Sequence, residues 1–267
     1  MLARRILAAA RITSLDPDAQ ILIDAMSVSP PMNRAVLISD HIITKKDIGS
    51  WQESDIYYMM AAHHEQVSRL NWKSPGNFTL TANGDITFTV DRGWQGDGST
   101  GYLDTGWIPA THGVNYTLND ASFGVYSRTD TQTFNEIDIG AFQSAGIRSF
   151  LQIRNTENQT RYNVHVGSNV RSPLESVMDG RRLSVARRTG EANSQALKNG
   201  TILDSSTEAS TGMPNVAFWI GAANGSGAPA SNQYASAFTA AAMSEPQHAD
   251  LYAAMQNGYL AAVGAAL

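Results

Sequence analysis

The pattern of apolar and polar positions changes character near residue 70. Before it, apolar residues recur at helical spacing; after it, they alternate. Met32, Ala35, Val36, Ile42 and Ile43 lie on one face of a 3.6-residue repeat. Ser29 and Pro30 suit its start, Lys45 and Lys46 oppose the negative end of its dipole, and Gly49 stops it. Ser50-Trp51-Gln52-Glu53 has the form of a capping box. Ile56, Met59, Met60, His63 and Val67 then make the stripe of a second helix, so residues 27–69 read as a helical hairpin.

From Trp72 onward the period is two. Ile86, Phe88 and Val90 alternate with Thr87 and Thr89. The same spacing joins Phe123 to Val125, Ile137 to Ile139 and Leu151 to Ile153. It recurs in Tyr162, Val164 and Val166, in Leu183 and Val185, and in Phe218 and Ile220. Gly, Asn and Ser separate these blocks, which predicts an antiparallel sandwich over residues 70–242 and not a βαβ sheet. His165, between Val164 and Val166, is expected to face water. Asn199-Gly200 predicts a two-residue hairpin turn. Gly93, Gly96, Gly98 and Gly101 look like a phosphate-binding loop, but Tyr102-Leu103-Asp104 after them reads as strand where that motif needs a helix. In 243–267, Ser244 with Gln247 predicts a capped helix whose face carries His248, Leu251, Tyr252, Met255 and Tyr259. Residues 1–26 read as a separate docking segment. Its Ile21-Leu22-Ile23 run packs either on a partner or on its own domain.

Composition narrows the function classes. Charged residues make up 16% of the 267, a surface that relies on Ser, Thr, Asn and Gly and suits a protein working outside the cytosol. A net charge of −5 provides no basic stripe for nucleic acid. The absence of cysteine excludes disulfides and thiolate chemistry. No apolar run has the roughly 18 residues that membrane insertion needs. Arg11 interrupts the apolar start MLARRILAAA, which argues against a secretory leader. His63-His64 is not a metal pair, because adjacent helical residues diverge by about 100°. No metal and no cofactor is expected.

The runs FTVDRGWQGDGSTGYLDTGW, RRLSVARRTGEANSQALKNGTIL, FWIGAANG and MSEPQHADLYAAMQNGYL resemble concanavalin A-like, laminin-G-like jelly rolls. With the short helical region ending in LNWK, the layout is similar to virion proteins of tailed bacteriophages and phage-like particles. The resemblance covers residues 27–265. It implies a mainly β, two-sheet jelly-roll sandwich flanked by helices. It also implies a virion structural protein: a tail fibre, head spike or capsid decoration subunit, here read as non-enzymatic and as attaching to host cell-surface polysaccharide. Residues 1–69 would then dock it to other virion proteins in a homo-oligomer, in a particle assembled in the bacterial cytoplasm. A ligand-free decoration protein and a polysaccharide-degrading jelly-roll enzyme are the alternatives, because the fold hosts all three.

Sugar sites on such sandwiches use aromatic faces with amides and carboxylates. Trp94, Trp107, Tyr116 and Tyr234, in or beside loops, are the aromatic candidates, although an aromatic in a sandwich more often belongs to the core. Glu136-Ile137-Asp138-Ile139-Gly140 resembles the E-x-D-x-E strand of jelly-roll endoglycanases. Gly140 replaces the last carboxylate, so Glu136 and Asp138 are expected not to cleave, and either accept from sugar hydroxyls or face solvent. A lyase would need a Tyr/His pair with basic residues. Arg148, Arg154 and Arg161 read as a solvated face.

Overall fold

A computed structural model describes residues 14–168, 170–174 and 179–267. Helices α1 (Pro17–Asp24), α2 (Met32–Asp47) and α3 (Ser50–Glu53) lead into strand β1 (Ser54–Met59). A single turn, α4 (Glu65–Ser68), precedes β2 (Thr81–Asn83), β3 (Ile86–Thr89), β4 (Gly93–Gly96) and β5 (Tyr102–Asp104). Another turn, α5 (Pro109–His112), precedes β6 (Ala121–Ser127), β7 (Ile139–Phe142), β8 (Arg148–Gln152), β9 (Arg161–Val164) and β10 (Val170–Arg171). Next come β11 (Arg182–Gly190), β12 (Asn193–Lys198), β13 (Thr201–Ser206), β14 (Trp219–Ile220), β15 (Ala223–Asn224) and β16 (Gln233–Ala240). The chain closes with α6 (Glu245–Ala253), a π-helical turn (Ala254–Tyr259) and α7 (Leu260–Ala262).

The strands form two eight-stranded sheets, mainly antiparallel, as the alternation predicts. Sheet A runs β13-β12-β11-β6-β16-β4-β3, with β1 also on β16. Sheet B runs β10-β9-β8-β7-β14-β5-β2, with β15 parallel to β7. Phe123, Val125, Ile139, Leu151, Tyr162, Val164, Phe218 and Ile220 are buried between the sheets. Burial of each such side chain contributes about 1.5–3 kcal/mol over exposure. A second core lies on the opposite face of sheet A, where Leu22, Ile38, Ile42, Leu251, Met255 and Tyr259 cover Tyr57, Tyr126, Leu183, Leu197 and Phe238. The helices therefore form a third layer that closes one face of the sandwich.

The second helix of the predicted hairpin is instead mostly β1. Ile56, Tyr58 and Met60 enter the inter-sheet core, while Tyr57 and Met59 enter the core under the helices. A strand buried on both faces reads as a continuous apolar run, and its residues also satisfy a helical stripe. His63 and His64 consequently lie outside any helix, with His63 against the Val28 carbonyl and His64 capping α4. Ser50 does not form a capping box. Gly49 is the N-cap, and Ser50 donates to the Lys45 carbonyl. Likewise α2 starts at Met32, behind Pro31 and without a side-chain cap.

Within the docking segment, residues 1–13 lie outside the described residues. The apolar run of α1 packs on its own chain through Ala19 and Leu22, while Ile21 stays exposed. Lys46 holds this helix through Asp16 and Asp18, at 2.7 Å from each. At the other end, the predicted hairpin turn is present: Asn199 and Gly200 have φ of 53° and 88°, both left-handed. A Cβ on Gly200 would stand 2.2 Å from the Ala249 Cα, so glycine also lets α6 lie against the turn. Ser244 and Gln247 form the predicted capping box at the start of α6.

Buried arginines join the layers through carbonyls. Arg188, at 0% exposure between the sheets, donates to the carbonyls of Val164, Gly190 and Glu208 at 2.8–3.0 Å. Arg182 reaches the Ile153 carbonyl and Thr160 Oγ1 from the same strand, and Arg187 turns outward to the Met243 carbonyl. A guanidinium has five donors and satisfies several carbonyls at once.

Three histidines are buried and neutral. His165 corrects the expectation of a water-facing ring: it is at 0% exposure, with φ of 59° and Nδ1 at 2.7 Å from the Leu118 carbonyl. Burial lowers it to about 4. Burial, reinforced by Lys45, lowers His41 to about 3, and burial with Arg187 and Lys45 lowers His248 to about 3. All three sit below the unfolded value of about 6.5. The unfolded chain therefore binds more protons, and stability present above pH 6.5 is lost as pH falls towards 4. Urea unfolding should show each histidine contributing a slope of about 1.4 kcal/mol per pH unit in that window. His248→Leu, which removes two ring nitrogens without hydrogen-bond partners, should flatten the dependence by about one such increment.

Candidate functional site

The four aromatic candidates are all interior: they take the core role usual for an aromatic in a sandwich and are not posed as ligand contacts. Trp94 of β4 is 2% exposed and donates Nε1–H to Ser68 Oγ at 2.8 Å. Trp107 and Tyr116 meet edge to face at 5.4 Å near the inter-sheet core, at 1% and 0% exposure. Tyr234, also at 0%, points its hydroxyl into the sandwich. None offers a ring face to solvent. Their large apolar area, close to strand pairings, draws them inward.

Glu136 and Asp138 do lie near one another, just before β7, but both are engaged. Asp138 is 2% exposed and accepts from the Ile153 amide at 2.6 Å, Tyr234 Oη at 2.7 Å and Asn232 Nδ2 at 2.8 Å. It thus ties β8 to the start of β16. Burial holds its carboxyl above the usual range, against the pull of these donors and with a further push from Glu136. Glu136 accepts from the Ser231 amide at 3.0 Å and from Ser231 Oγ at 3.1 Å. Neither is posed as a free sugar acceptor.

No helix covers the outer face of sheet B, but Ile137 and Ala223 pack on Phe150 over its β7–β8 part, so the end formed by β14, β5 and β2 is the more open. Alternation decides which residues reach this face. Where Leu103, Ile220, Leu151 and Tyr162 point inward, Tyr102, Asp104, Trp219, Phe150 and Arg161 point outward. Trp219 pairs with Asp104 on one side and Gly140 on the other, which brings its ring diagonally over Tyr102. The two rings stack at 3.9 Å and 19°, both half-buried, with Asn83 and Asp104 beside them. The Trp219 indole N–H has no hydrogen-bond partner among the described residues. Gly140, next in the row, is buried, and a Cβ there would stand 2.6 Å from the Phe150 Cβ.

Two strands further on, the chemistry turns cationic. Phe150 lies under two guanidinium groups, Arg148 at 5.6 Å and Arg161 at 5.5 Å from its centroid. Arg148 also lies 5.2 Å from the Phe142 ring. Burial lowers the pKa of both arginines, and the charges of Arg171 and then Arg148 lower that of Arg161 further. Arg161 donates to the amide oxygens of Asn135 and Gln152 at 3.2 and 3.1 Å. Arg154 sits apart in the following turn, paired with Asp130 at 2.6 Å. At the rim stands Phe134, 81% exposed. Sequence reasoning missed Trp219 and Tyr102, although the alternation that sends Phe218 and Ile220 inward already sends Trp219 out.

No protein-family model matches the chain, and no curated relative does. Solved structures match in fold. Domain 4 of a GH43 extracellular arabinanase from Geobacillus stearothermophilus, in complex with arabinotriose, is similar with a TM-score of 0.53 and 13% identity, over 75% of this chain and 98% of that one. A mutant of Trypanosoma rangeli sialidase displaying trans-sialidase activity is similar with a TM-score of 0.54 and 12% identity, over 85% of this chain. The chain spans only 40% of that sialidase. At these identities the likeness establishes the concanavalin-like sandwich and nothing further.

Because three buried donors converge on Asp138, Asp138→Ala should cost about 3 kcal/mol or more in urea unfolding. Glu136→Ala, at a half-buried position, should cost about 1 kcal/mol.

Proposed function

We propose that this chain is a non-enzymatic carbohydrate-binding sandwich, and that the outer face of sheet B is where it holds polysaccharide. The observation that carries this reading is the Tyr102–Trp219 stack, half-buried on a sheet face that no helix covers. Sugars present apolar C–H patches between hydroxyls, and an aromatic platform beside amide and carboxylate groups matches both. Asn83 and Asp104 supply those groups here. The structure of a similar sandwich in complex with arabinotriose supports the reading. The engagement of Glu136 and Asp138 in structural hydrogen bonds supports the non-enzymatic part, because hydrolysis needs two carboxyl groups free to act on the glycosidic bond.

The wider role we propose is that of a virion structural protein, a fibre, spike or decoration subunit displayed on a phage or phage-like particle. The sequence resemblance supports it. The helical layer lies on the face opposite the sugar platform and carries exposed Ile21, Val28 and Met32, an apolar edge suited to other virion proteins or to sister subunits. Docking there leaves sheet B pointing outward, where many weak sites act together on host surface polysaccharide.

The test is a glycan array at high protein density, with wild type beside Tyr102→Ala and Trp219→Ala. Retention on at least one polysaccharide is expected, and each variant should weaken it about 10-fold or more, equivalent to about 1.4 kcal/mol. Thermal unfolding confirms that each variant folds. Silence of the wild type across bacterial polysaccharides would instead favour a ligand-free decoration protein.

A further inference from the structure

The cationic end of the same face holds a charge that the neutral sugar reading does not use. Arg148 opens β8 on the outer side of sheet B, at 9% residue exposure. Its guanidinium lies between the rings of Phe142 and Phe150. One terminal nitrogen donates to the Gly167 carbonyl, while Nε has no partner among the described residues. No carboxylate of the described residues pairs with it. Neighbouring arginines contrast with this: Arg154 pairs with Asp130, Arg171 with Glu157 and Arg181 with Asp179. Arg161 reinforces the positive field from the far side of Phe150.

A guanidinium with unspent donors in a partly apolar setting attracts an oxyanion more strongly than one in open water. Planar anionic groups match its fork of donors. Trp219 lies level with Gly140 and Phe150, and Arg148 is two residues further along β8, so the span is two strand spacings and two residues of rise, roughly 12 Å. Phe150, buried with Ile137 and Ala223, stands between them, so an oligosaccharide on the Tyr102–Trp219 stack reaches Arg148 by passing over that cluster. The chain as a whole carries a net charge of −5, so general electrostatics repels polyanions, and any attraction must come from a local group.

We propose that Arg148 reads an anionic oxygen group on the bound glycan, so that this face selects acidic polysaccharide over its neutral counterpart. The proposal rests on the carbohydrate-binding reading above. Arg148 sets selectivity, while the aromatic stack supplies the general platform.

Matched pairs of probes separate the two claims and the two sources of the anion. Polygalacturonate against its methyl ester varies a carboxylate, and dextran sulfate against dextran varies a sulfate. Retention on immobilised protein should be at least 10-fold greater for the acidic member of at least one pair. Arg148→Met, which keeps the packing on Phe142 and Phe150, should erase that preference with an unchanged melting temperature. Arg148→Lys should recover part of it. Equal retention of acidic and neutral members overturns the proposal and leaves the sugar-binding reading standing. So does a preference that survives in Arg148→Met. Retention of no glycan at all overturns both.

Discussion

The molecule depends on the pairing around one strand. All eight residues of β16 are buried. It bonds to β6 along one side, and to β4 and then β1 along the other. A register shift between Tyr234 and Ser236 lets it serve both partners, so that Tyr234 enters the inter-sheet core while Ala235 and Phe238 enter the core under the helices. Gly93 permits the close pass of β4, since a Cβ there would stand 1.9 Å from the Tyr234 carbonyl oxygen. Because β1 comes from the N-terminal region, its place beside β16 draws α2 and α3 onto sheet A. Capture of β1 therefore closes one face of the sandwich and leaves sheet B to face outward.

The layers are joined with few ion pairs. Arg182, Arg187 and Arg188 spend their donors on carbonyls and hydroxyls, and Asp138 gathers an amide, a carboxamide and a phenol. Groups of this kind are costly to leave unpaired and therefore specify one arrangement of the loops around the sheets. This accounts for a chain with a low charge fraction and no cysteine that still fixes its long connections. It also explains why the carboxylates that most resembled catalytic ones are structural.

The strands, the Asn199-Gly200 turn and the capped C-terminal helix were legible because each is written in local spacing. The strand β1 was not. Ile56-Tyr57-Tyr58-Met59-Met60 is apolar throughout, since both faces are buried, and only its pairing with β16 separates a strand from a helix. His165 likewise follows the chain into a left-handed turn that alternation does not foresee. The aromatic candidates failed for a related reason, because a loop position says nothing about where a ring points. Trp219 and Tyr102 are 117 positions apart in the chain. Only strand order makes them neighbours, though the inward-facing residues beside them already marked each as facing out.

The central claim is that ligand is held on the outer face of sheet B and not on the helical side. An amide NMR map of the protein titrated with a retained oligosaccharide tests it most directly. Shifts concentrated at Tyr102, Asp104, Arg148 and Trp219, with the Trp219 indole proton among the largest, are the predicted result. Shifts concentrated instead on residues 17–53 and 245–262, with sheet B unmoved, would contradict it.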